Sequence, residues 1–133
     1  MKRNIDAGIL ISRITIAFPM LFYGIHKLQN GIDFIQSRLT DFGLPEFIGY
    51  GVYVGEIIAP VLIIIGFRTR IAAIVFAVNC LSAILLVQTD QVYSLNPSGG
   101  WALELLFIYF SVSTALAFSG GGKLSISKGS IWD

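Results

Sequence analysis

Along this chain, apolar positions do not alternate with polar ones but run on in long blocks. Four such blocks occupy residues 7–27, 47–67, 71–88 and 100–118. Each is close to the ~20 residues a helix needs to cross ~30 Å of hydrocarbon. A membrane β-barrel would show alternating stretches of about ten residues, and these blocks are continuous. The pattern predicts an all-α fold: a polytopic membrane protein, with four transmembrane helices in an antiparallel bundle and a single domain covering 1–133.

The intervals between the blocks refine this. LQNGIDFIQSRLTDFGLPEF is too polar to be a span, yet Ile32, Ile35, Leu39 and Phe42 recur at helical spacing and Gly43 and Pro45 supply a stop. It reads as a short interfacial helix between spans one and two, at the outer surface or folded over the bundle. The link GFRTR is short enough to force spans two and three into a hairpin. QTDQVYSLNPSGG reads as an outer polar loop, and residues 119–133, SGGGKLSISKGSIWD, as a cytoplasmic tail with a flexible glycine start.

Composition agrees: 55% of residues are hydrophobic, 13% are charged, and mean hydropathy is +0.77, values outside the soluble globular range. Lys2, Arg3, Arg68, Arg70, Lys123 and Lys128 fall on one side of the predicted spans, against Lys27 and Arg38 on the other. The positive-inside rule then makes both termini cytoplasmic. MKRN before an apolar run resembles a signal peptide, but Arg13 interrupts the run and no cleavage site follows, so the first helix is read as retained. A net charge of +1 gives no reason to expect nucleic acid.

Few polar residues lie in the spans: Arg13, Glu56, Asn79 and Glu104, with His26 and Lys27 at the outer end of span one. Charges in hydrocarbon cost about 2.5 to 3.5 kcal/mol each on insertion scales, so they face a bundle and find partners. Counting rises of ~1.5 Å from the presumed span ends places Glu56 only about 7 Å from the level of Arg13. That count predicts an inner pair, Arg13 with Glu56, and an outer one, Lys27 or His26 with Glu104, with Asn79 able to bridge. Pro60 cannot donate to the Glu56 carbonyl, and Pro19 withholds the same bond from Thr15. Carbonyls freed at membrane depth favour a small polar cavity. Two readings of the charges stand side by side: a ligand or proton pocket made by Glu56, Glu104, Arg13, His26, Lys27 and Asn79, and ion pairs that only fix helix register. Tyr93, Trp101, Tyr109 and Trp132 read as interface anchors, and Cys80 as a packing residue.

Several chemistries are excluded for this chain alone. One cysteine rules out a CxxC relay, one histidine rules out bis-histidine haem ligation, and no metal-ligand cluster or phosphate-binding loop is present. No self-contained catalytic constellation is visible.

RITIAFPMLFYGIHKL, then GEIIAPVLIIIGFRTRIAAIVFA, then WALELLF with a terminal GGGKLSIS, in this order and spacing, resemble the DoxX family of small membrane proteins. Arg13, Gly24, Lys27, Glu56, Arg68, Arg70, Glu104 and Gly122 match the family pattern. Ala59-Pro60 stands where the family often has two glycines, and Ser127 where an aspartate often closes the tail. The resemblance implies a four-helix protein of the bacterial inner membrane, in a family named from subunits of quinone-linked oxidoreductases.

The leading expectation is a membrane subunit of a redox system, holding a quinone or lipid in its polar pocket, with no cofactor within the chain and electrons supplied by a partner. As an enzyme it would be at most one subunit of an oxidoreductase. The alternatives are a structural or assembly subunit of a larger membrane complex, and a small-solute transporter, for which four helices leave little room. Expected partners are membrane lipids and either further copies of the chain or the other subunits of a complex.

Overall fold

A computed structural model of the chain describes residues 4–86, 94–95, 97–127 and 129–133. The regular secondary structure of the described residues is helical, with one isolated bridge, Leu95 to Trp101, in place of any sheet. Helix α1 runs Ile5–Asn30, α2 Asp33–Asp41, α3 Glu46–Ile65, α4 Thr69–Leu86 and α5 Glu104–Ser119. By length and composition α1 and α3 are long and apolar enough to cross a membrane; α4 and α5 are shorter apolar helices. Tyr93 and the part of the predicted 71–88 block beyond Leu86 lie outside the described residues.

Local chemistry sets the helix ends. The Asn4 side chain accepts from the Ala7 amide, and at the other end of α1 the Gly31 amide donates to Lys27 O at 2.7 Å with φ 85°. Helix α3 is irregular where the sequence predicts it. A 3-10 turn (Glu46–Tyr50) leads to one α turn and then a π turn at Val54–Ile58, and regular helix resumes at Ala59–Ile65. Pro60 has no N–H for the Glu56 carbonyl, and in the π turn the Ala59 amide reaches back to Val54 O. Gly66 ends α3 in the left-handed region, φ 78° and ψ 33°, and both its amide and that of Phe67 donate to Leu62 O at 2.9 Å. This is the glycine cap that closes many helices.

Helix α1 packs on α3, α3 on α4, α4 on α5, and α5 meets α1 again along a looser seam. The shared core contains Ile16, Ala17, Met20, Ile63, Phe76, Cys80 and Leu116. The outward faces stay apolar, with Ile11, Phe18, Phe22, Ile58, Ile74, Val78, Phe107 and Ile108 all exposed. So large an apolar exterior marks an interaction surface, and water does not favour it. Helix α2 lies on the 3-10 turn of α3, burying Ile32 and Leu39.

The segment after Gly120, expected as a tail with a flexible glycine start, is bonded to the ends of α1, α3 and α4. The Ile126 amide donates to Ile65 O and the Ser127 amide to Gly66 O, both at 3.1 Å. Arg70 donates from Nε to Ala117 O and from Nη1 to Ile131 O, both at 2.7 Å, and its amide reaches Trp132 O at 3.0 Å. Arg68 pairs with Asp133 at 3.2 Å, and the Lys123 amide donates to Asp6 at 3.0 Å. A helix that ends near its neighbours leaves carbonyls without partners, and the tail backbone supplies the missing donors.

Candidate functional site

Gly24 positions the site. A Cβ built there would lie 2.6 Å from Glu56 O and 3.0 Å from Glu56 C, so only glycine lets α1 and the π turn of α3 come this close. The carbonyl that Pro60 releases thus faces the bare backbone of α1. One turn further along α1, on the same side, Lys27 Nζ lies 2.6 Å from Glu56 Oε1 and 2.7 Å from Oε2. The carboxylate is 7% exposed and the lysine side chain 27%. Tyr53 Oη donates to Lys27 O at 3.3 Å, fastening the last turn of α1 to α3.

The expected pairing of Arg13 with Glu56 is therefore not formed. Arg13 lies eleven residues before Gly24, roughly 16 Å down the axis, beyond the reach of its side chain. It meets carbonyls instead. Nε donates to Ile63 O (2.8 Å), Nη2 to Ile64 O (2.8 Å), and Nη1 to Gly121 O (3.0 Å) and Leu124 O (2.7 Å). Buried at 1% exposure, Arg13 caps the free carbonyls of α3 and holds the tail. Of the residues expected in the outer group, Lys27 pairs with Glu56 instead. His26, one position from Lys27 and so about 100° around the helix, is exposed, as is Glu104 at the start of α5.

Lys27 and Glu56 border a cavity of about 390 Å³. Asn79 of α4 borders it too, its side chain lying against Gly55 in the π turn. Of the six residues expected in a pocket, Glu56, Lys27 and Asn79 come together here, while Arg13, His26 and Glu104 stand apart from its lining. Tyr109 is a correction and an addition. Expected as an interface anchor, it is 6% exposed, packs edge-on to Phe76 at 6.0 Å between ring centroids, and lines the cavity. Tyr23 and Ser82 contribute further hydroxyls, and Met20, Phe34, Ile35, Leu105 and Leu106 make much of the remaining wall apolar. The signal for Tyr109 is its position at the middle of the predicted 100–118 span, too deep for an anchor.

An apolar chamber with a few convergent polar groups and a paired acid and base is the usual form of a small-molecule site. It offers an ammonium, an amide and phenols as donors and a carboxylate as proton acceptor. Among the described residues no group of His, Cys, Asp or Glu side chains is arranged to hold a metal ion.

The DoxX family matches residues 8–89, more than half of the sequence, and the cavity's acid, base and amide all fall within that range. The chain belongs to the DoxX family. As a DoxX protein it is a membrane protein, which accounts for the apolar exterior. A curated relative from Bacillus subtilis (strain 168), "Putative oxidoreductase CatD", is 26% identical over 113 residues, covering 85% of this chain and 84% of the relative. No solved structure matches significantly.

Proposed function

We propose that this DoxX protein is a four-span membrane subunit of a redox system whose cavity receives the head of a quinone. The observation that carries the reading is the Lys27–Glu56 pair bordering a cavity that is apolar apart from Asn79, Tyr109, Tyr23 and Ser82. Quinone carbonyls accept hydrogen bonds from an ammonium, an amide or a phenol. Reduction to the quinol takes two electrons and two protons, and an adjacent carboxylate and ammonium form a route for the protons. The electrons come from a partner oxidoreductase, and the name of the Bacillus relative supports that association.

In this reading α1, α3, α4 and α5 cross the bilayer as an antiparallel bundle and α2 lies at the outer interface above the cavity. The basic turn Arg68–Arg70 and the tail then share the cytoplasmic side with both termini. Purification in mild detergent, with extraction and mass spectrometry of bound small molecules, tests the proposal. A quinone near one per chain is expected, and quinone no higher than in an unrelated membrane protein from the same cells overturns it.

A further inference from the structure

The cavity has a deep end and a mouth, and they differ in chemistry. At the deep end Met20, Glu56 and Tyr109 are buried. Three other lining residues are exposed: Tyr23 of α1 at 47%, Leu105 of α5 at 43% and Phe34 of α2 at 63%. A side chain that lines an internal cavity and also faces outward marks an opening. Tyr23 and Leu105 belong to α1 and α5, the neighbouring pair with the looser seam. Their outward neighbours Phe22 and Ile108 are exposed and apolar, so the opening gives onto the same apolar exterior that the bilayer covers.

We infer that the cavity opens sideways into the bilayer between α1 and α5, under α2, and that its ligand is an amphiphile: a compact hydrogen-bonding head inside, an apolar chain left in the lipid. This rests on the headgroup reading above and adds the route and the ligand class. A ligand arriving from water would meet a charged rim, whereas here Glu56 and Tyr109 lie at the bottom and the edge is made by Leu105, Phe34 and the ring of Tyr23. The head exchanges lipid for Lys27, Asn79 and Tyr109, while the chain never leaves hydrocarbon.

That last point separates the routes. If the bound chain stays in lipid, its length does not enter the affinity once probe concentration is expressed as mole fraction in the bilayer. A site that withdraws the chain into water weakens about fourfold per methylene. The experiment uses the full chain in phospholipid nanodiscs and benzoquinones with alkyl chains of no, three, six and ten carbons. Affinities of the chained probes within threefold of one another are expected, and a fall of tenfold or more from the three- to the ten-carbon probe overturns the sideways opening. Leu105→Trp narrows the mouth from an outward position. It should weaken the ten-carbon probe at least tenfold more than the chainless head, with an unchanged unfolding temperature; equal effects on both probes would place the mouth elsewhere. Failure of the chainless head to bind the wild-type protein removes the headgroup reading and this inference together. Head binding with a steep chain-length penalty removes this inference alone.

Discussion

Replacing Arg13 with lysine keeps the charge and removes the fork. The guanidinium donates to carbonyls on two segments, Ile63 and Ile64 at the end of α3 and Gly121 and Leu124 in the tail. An ammonium on a single carbon reaches one segment at a time, so Arg13→Lys forfeits two charge-assisted bonds. Each is worth ~1.5–3 kcal/mol, and the carbonyls left behind are only partly open to water, so the tail should lose about 3 kcal/mol of its anchorage. That corresponds to roughly a hundredfold rise in local opening. The reporters are the Ile126 and Ser127 amides, bonded to Ile65 O and Gly66 O. Hydrogen exchange of these amides in nanodiscs should accelerate by about two orders of magnitude in Arg13→Lys, while amides in the middle of α4 change far less. Exchange of both amides within threefold of the wild type would refute the assignment of Arg13 as the link between α3 and the tail.

Three further outcomes are expected. Gly24→Ala drives a methyl into the Glu56 backbone, which cannot swing aside, and should cost about 2 kcal/mol in denaturant unfolding, whereas Gly8→Ala, with open space beside it, should be neutral or slightly stabilising; equal effects would contradict the close approach. The Ser127 hydroxyl, with the Ser130 amide and Arg68, holds the Asp133 carboxyl below its usual value; stability from a lowered pKa is present above the usual carboxylate range and is lost as pH falls through the lowered value. Trp132 fluorescence should accordingly hold steady from pH 7 to about 4 and change only below that, and Asp133→Asn should abolish the transition; a transition that survives in Asp133→Asn would remove this group as its cause. Single thiols introduced at Asn4 and Gln36 should label from opposite sides of the membrane, and labelling of both from one side would break the four-span topology.

Helix-forming segments were legible because continuous apolar runs leave little choice of secondary structure, and the disturbance at Pro60 because a missing N–H can be counted from sequence. Its form was not, since a π turn and a simple kink share the same proline. The partner of Glu56 was misread for a geometric reason. Depth was counted from assumed span ends, whereas the real register is set by Gly24 meeting the Glu56 backbone, which raises Glu56 to the level of Lys27. Arg13 was invisible in its actual role because its partners are carbonyls, and pairing charges on a sequence considers only acids. The docked tail escaped notice for the same reason: glycines and serines look flexible until neighbouring helix ends offer their backbones bonds. His26 and Lys27 could not be separated by composition, and only their difference of about 100° around α1 sends one outward and the other to Glu56.

The central claim is that the Lys27–Glu56 pair serves a ligand as well as fixing helix register, and the double variant Lys27→Gln with Glu56→Gln tests it most directly. Either single change strands one charge and should destabilise by about 3 kcal/mol, while the double change keeps side-chain shape, leaves no unpaired charge and should recover most of that loss. Measured on the purified double variant, unfolding near the wild-type value together with at least a tenfold loss of bound quinone is the predicted result. Wild-type stability with wild-type quinone content would contradict the account and leave the pair as a register pin alone.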